Sequence, residues 1–99
     1  MKKEVASKIK QRRLQMLIHS AVYYIFNDNI VSDNQWSKWA LELKELQEKY
    51  PEIAEQVEYA EDFKDWDAST GFNLPIEDDW VLNKAQQLIN LKTRRNHSL

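Results

Sequence analysis

Cysteine is absent from this chain of 99 residues, which excludes disulfides and thiolate zinc sites and points to a reducing cytoplasm as its home. A single glycine and two prolines leave few places for tight turns and exclude a glycine-rich phosphate loop. The longest apolar run, Met16 to Phe26, is broken by His19 and Ser20 and falls short of the roughly 20 residues that a membrane span needs. Lys2 and Lys3 resemble the start of a signal peptide, yet Glu4, Lys8, Lys10, Arg12 and Arg13 stand where its apolar stretch should follow. Neither export nor membrane insertion is expected. No nucleophile elbow, HExxH pair or EF-hand spacing occurs, and His19 and His97 lie far apart, so neither catalysis nor a metal site is expected.

Leu, Glu, Lys, Gln and Ala dominate what is present, and no segment alternates with period two. The expected fold is all-α, a three- to four-helix assembly forming one domain over residues 1–99. Four Trp, four Tyr and three Phe supply the core material, each ring burying about 150–250 Å² when packed. A first helix is expected from about Glu4 to Phe26, where Leu14, Leu17, Ile18, Ala21, Val22 and Ile25 recur at steps of three and four. Met16, His19, Tyr23 and Phe26 form a neighbouring stripe, so the end of this helix is either buried on two sides or lines a pocket.

Asn27-Asp28-Asn29 breaks the helix, and Ser32 to Gln35 reads as a capping box that starts a second one. Its inward face is Trp36, Trp39, Ala40, Leu43, Leu46 and Tyr50, with Glu45 and Lys49 as a favourable i,i+4 pair. Tyr50-Pro51 ends it, and the two helices are expected to form an antiparallel hairpin. Pro51 opens a short third helix with Ile53, Val57, Ala60 and Phe63 facing the core. Asp65 to Pro75 has no helical period and reads as an ordered loop pinned by Trp66 and Phe72. A last helix from about Asp78 to Lys92 carries Leu82, Ala85, Leu88 and Ile89 as its core stripe.

The formal net charge of -2 hides a segregation: six Lys or Arg stand against Glu4 alone in residues 1–13, and Lys92, Arg94 and Arg95 close the chain. Such basic termini are either solvated helix ends or contacts for nucleic-acid phosphates. The acidic residues Glu61, Asp62, Asp65, Asp67, Glu77, Asp78 and Asp79 lack ligand spacing and read as solvated surface.

One stretch is more specific. It runs from His19 through Tyr23-Tyr24, Ser32-Asp33 and Trp36-Ser37 to Leu43, Leu46 and Tyr50-Pro51-Glu52-Ile53. Over about residues 14 to 53 the sequence resembles the N-terminal Ia domain of bacterial NAD-dependent DNA ligases, and it is similar to short prophage proteins related to that domain. In the ligases this domain holds the nicotinamide mononucleotide half of NAD while a Lys of another domain attacks the adenylyl phosphorus. The resemblance implies a nicotinamide-nucleotide site, for NMN or NAD as ligand, with no cofactor required. Tyr23 would stack on the nicotinamide, Tyr24 takes a position that the family fills with Tyr or His, and Asp33 keeps an acidic one. Trp36 replaces a family Tyr and Ser37 a family Asp, so a hydroxyl and a carboxylate are lost. The ligase's other domains find no room here, and ligation by this chain alone is not expected.

The same residues also admit a purely structural role, with Tyr23 and Trp36 packing the hairpin corner and Asp33 serving the dipole of helix two. Three functions follow. The leading expectation is a phage-type accessory protein that binds a bacterial host protein of defence or replication. Exposed aromatics around Tyr23, Trp36, Trp66 and Phe72 would be its anchors. The second is nicotinamide-nucleotide binding at Tyr23, Tyr24, Asp33, Trp36 and Ser37, and the third is nucleic-acid binding through the basic termini.

Overall fold

The computed structural model describes the backbone of residues 2–97 and the side chains of residues 2–93. Its elements are α1 (Lys2–Tyr24), α2 (Asp33–Lys49), α3 (Pro51–Ala54), α4 (Ala60–Phe63) and α5 (Asp79–His97). The fold is all-α, with three long helices and two single turns among the described residues. None of these helices is long and apolar enough to cross a membrane.

α1 is the central element and packs against α2, α3 and α5. Ile9, Met16, Leu17, Ala21 and Val22 are buried along it. Leu14 and Ile18, expected in the core, are half-buried, and Ile25 is exposed. Ile25 is exposed because α1 stops at Tyr24, two residues before the expected Phe26, and Asn27 takes a left-handed conformation at φ 51°. Asn tolerates that region because its short side chain can bond locally.

α2 begins where the sequence places it, with Ser32 Oγ accepting from the Gln35 backbone N–H at 3.1 Å. The two helices run antiparallel, since His19 meets Trp39, Arg12 meets Glu42 and Arg13 meets Gln47. Ala40 and Leu43 are fully buried, whereas Trp36, Trp39 and Leu46 are half-buried. Lys44 and Glu48 make the i,i+4 pair at 3.5 Å, while Lys49 lies over the Tyr50 ring instead of reaching Glu45.

The expected third helix is divided. α3 ends at Ala54, and α4 begins only after Tyr59, whose φ of 69° keeps the two turns from joining. Carbonyls freed by the break need donors, and Arg13 provides them. Its Nη1 donates to Val57 O and Glu58 O, its Nη2 to Ala54 O, each at 3.0 Å, and its Nε to Gln47 Oε1 at 2.9 Å. Arg13 is only 2 % exposed. Burial lowers its pKa to about 10 against the opposing pull of Asp62, so the group is still charged at neutral pH.

The basic first segment is therefore not a solvated end. Besides Arg13, Arg12 bonds Glu42 at 3.1 Å, Lys8 lies 3.6 Å from Glu42 and Lys10 3.2 Å from Glu58. Four of its six cations are held by groups of the same chain.

α5 starts at Asp79 and continues to His97, beyond the expected end at Lys92. Val81, absent from the expected stripe, is fully buried with Ala85, whereas Leu82, Leu88 and Ile89 are half-buried. The expectations placed on the side chains of Arg94, Arg95 and His97 lie outside the described residues.

Candidate functional site

The end of α1, the turn after it, the start of α2 and the segment 69–71 enclose a cleft of ≈ 250 Å³. α1 contributes His19, Ser20, Tyr23 and Tyr24, which share one face because they lie at i, i+1, i+4 and i+5. Asp28, Asn29, Ile30 and Val31 line it from the turn. The first two turns of α2 add Asp33, Trp36 and Ser37, and the opposite wall is Ser69, Thr70 and Gly71. Tyr23, Tyr24, Asp33, Trp36 and Ser37 are thus brought to one cavity.

Trp66 and Phe72 stand apart from it. Trp66 is half-buried against Phe63 and Trp36, ring centroids 5.1 and 6.4 Å away, and its Nε1 donates to Thr70 O at 2.7 Å. It pins the loop, and neither it nor half-buried Trp36 is the open anchor expected from sequence. Phe72 is 64 % exposed and sits edge-on to Tyr24 at 5.3 Å.

Tyr24 ties the two walls together through a hydrogen bond of 2.9 Å between its hydroxyl and Thr70 Oγ1. Tyr23 packs edge-on against it at 4.9 Å and is itself exposed. Asp28 Oδ1 accepts from the Asn29 N–H at 2.7 Å and from Lys92 Nζ at 2.8 Å, and Lys92 also donates to Asn29 O at 3.0 Å. The Lys92 contact holds the Asp28 carboxyl below its ordinary pKa, helped by the Asn29 backbone bond. α5 thereby fixes the turn that forms the back of the cleft.

Two polar atoms at the floor are unmatched. His19 Nδ1 and Ser20 Oγ are buried without a hydrogen-bond partner. Burial pushes the His19 pKa below its ordinary 6.5, which keeps the imidazole neutral at pH 7. Its ring lies 5.5 Å from that of Trp39. Gly71 seals the floor: a methyl group there would overlap Ser20 Oγ and stand 3.5 Å from Trp36 Cζ2. The glycine is required by this close approach, not by a positive φ. Nothing in the sequence marks Ser20 as part of a site, and His19 shows only as a polar break in an apolar stripe.

Asp28 and Asp33 are the charged residues lining the cleft, with no Lys or Arg among the described lining residues. Aromatic faces beside carboxylates suit a flat cationic ring, through cation–π attraction and charge-assisted contacts. Ser20 is not bonded to His19, so the two do not form a nucleophile and base pair. No three His, Asp or Glu side chains converge as metal ligands among the described residues.

Half of the chain is DNA ligase-like. The DNA ligase of Syntrophomonas wolfei is 41% identical over 49 residues, covering 50% of this chain and 7% of the ligase. That of a Psychrobacter species is 35% identical over 52 residues, covering 52% of this chain and 8% of the ligase. That of Thermotoga petrophila is 33% identical over 51 residues, with 52% and 7% covered. The matches thus span 7% to 8% of the length of these ligases. They agree with the resemblance to an N-terminal ligase domain that residues 14–53 carry. No protein-family model matches the chain, and no solved structure matches it. The ligase-like region supplies the α1 and α2 walls, whereas Gly71, Thr70 and Lys92 lie outside residues 14–53.

Proposed function

We propose that this protein is a non-catalytic, cytoplasmic binding protein that takes the nicotinamide end of a nicotinamide nucleotide, NMN or NAD, in the ligase-like cleft. The observation that supports this is the meeting of Tyr23, Tyr24, Asp33, Trp36 and Ser37 around one cavity. The exposed Tyr23 ring offers a face to the cationic nicotinamide, and Asp33 offers a charge. Ser37 supplies a hydroxyl where the ligases carry a carboxylate, which makes the seat weaker than theirs. Phosphate-backbone binding is less well supported, because Lys8, Lys10, Arg12 and Arg13 are already engaged within the chain. Calorimetric titration with NMN tests the proposal. Measurable binding that is weakened by Asp33→Ala is the expected result, and no heat at millimolar NMN overturns it.

One observation favours a second reading, docking of a bacterial host protein by a phage-type accessory protein. Tyr23 and Tyr24 of the cleft wall continue into Phe72 beside it as an exposed row of rings, and binding energy concentrates on such aromatics. On this reading Phe72→Ala abolishes capture of a specific host protein while leaving NMN titrations unchanged.

A further inference from the structure

We infer that the cleft is a seat for the nicotinamide nucleoside cation, so that nicotinamide riboside binds more tightly than its 5′-phosphate, NMN. The inference rests on the nicotinamide reading above and adds to it the charge and size of the ligand.

Charge comes first. A phosphate group needs a cation or free backbone donors, and the described lining residues include no Lys or Arg. Lys92, which reaches the Asp28 and Asn29 of the lining, is committed to Asp28 Oδ1 and Asn29 O. His19 lines the floor but is held neutral by burial. The N-terminus of α2 already has the Ser32 hydroxyl on the Gln35 N–H and the Asp33 carboxylate in its first turn. Asp28 is balanced by Lys92, whereas Asp33 has no ion-pair partner among the described residues. The cleft therefore attracts the cationic ring of either ligand, but the phosphate dianion of NMN, which makes it about -1 overall, meets no cation there and offsets most of that attraction.

Size agrees. A volume of ≈ 250 Å³ lies just under the roughly 300 Å³ at which drug-sized sites begin, which suits a mononucleoside and not a dinucleotide. A carboxylate on the ring cancels the positive charge of the ligand and meets the negative wall as well. Nicotinic acid riboside is disfavoured accordingly.

The test is calorimetry of the full chain at low ionic strength with three ligands: nicotinamide riboside, NMN and nicotinic acid riboside. Nicotinamide riboside is expected to bind about tenfold more tightly than either of the others. Its affinity should fall with added salt as the Asp33 field is screened. Asp33→Asn, with its fold verified by circular dichroism, should remove most of the preference over NMN. NMN binding as tightly as the riboside, or more tightly, overturns this inference and leaves the nicotinamide site standing. Absence of binding by all three overturns both. A riboside affinity indifferent to salt overturns the electrostatic basis even without the variant.

Discussion

Gly71 rests directly on Ser20, with no space for a side chain between them: a Cβ built on Gly71 would overlap Ser20 Oγ and lie 2.7 Å from Ser20 Cβ. Gly71→Ala must push the 69–71 wall away from α1, at a cost of about 1–3 kcal/mol. Ser20→Ala alone should be close to neutral, because the hydroxyl it removes is buried without a partner. Urea unfolding of both variants and of the double variant measures the coupling. The double variant should recover part of the loss, since the hydroxyl overlap is gone while the Cβ contact persists.

Arg13 is the polar keystone of the α1 to α4 region. Arg13→Met removes the side-chain donor from the carbonyls of Val57 and Glu58 and leaves that of Ala54 with the Val57 N–H at 3.4 Å. The expected loss is about 3–5 kcal/mol, as when one partner of a buried charged network is deleted. Arg13→Lys should restore less than half of it, because an ammonium cannot present the same planar fork to several acceptors. Denaturant midpoints give the ranking, and equal stability of the Lys variant and wild type would show that charge alone suffices.

Tyr23 and Trp39 should separate in a stability assay. Tyr23 is 58 % exposed, so Tyr23→Ala is expected to change stability by no more than about 0.5 kcal/mol. Full burial of Trp39 would imply about 3–5 kcal/mol for its truncation, but the ring is half-buried between His19 and Arg12. About 2–3 kcal/mol is expected instead. Comparable losses for the two variants would make Tyr23 a packing residue.

His19 carries a pH signature. Its folded pKa lies below the unfolded value of 6.5 because burial penalises the cation, so the unfolded chain binds more protons between the two values. This group therefore leaves stability unaffected above about pH 6.5 and erodes it as the pH falls below that toward the folded pKa. His19→Phe should flatten the part of the pH–stability curve just below about 6.5 and leave the acid limb of the carboxylates in place. Urea midpoints at half-unit pH steps provide the comparison.

Much of this was legible in the chain. Ser32 and Gln35 announce the start of α2, Asn27 the end of α1, and Pro51 the next turn, because each acts through its own backbone. The spacing around Tyr23-Tyr24 and Asp33 marks the hairpin corner, and the cleft lies there. What escaped depends on distant partners. Arg13 reads as one more basic residue until the turns between α3 and α4 present carbonyls for it to bond. Val81 adjoins Trp80 and looks peripheral, yet it is fully buried while Trp80 is 42 % exposed. The role of Gly71 is equally nonlocal, for it is set by a residue far earlier in the chain.

The bond from Lys92 to Asp28 spans 64 positions, and this places the site in time as well as in space. A chain that emerges from the ribosome N-terminus first makes the α1–α2 hairpin early, with two walls of the cleft in place. Its 69–71 wall and the clamp on its back arrive only with the later residues. A nascent chain halted before α5 would thus carry the walls of the cleft without the Lys92 clamp on the turn behind it, so that the cleft takes its final form only once Lys92 has been synthesised.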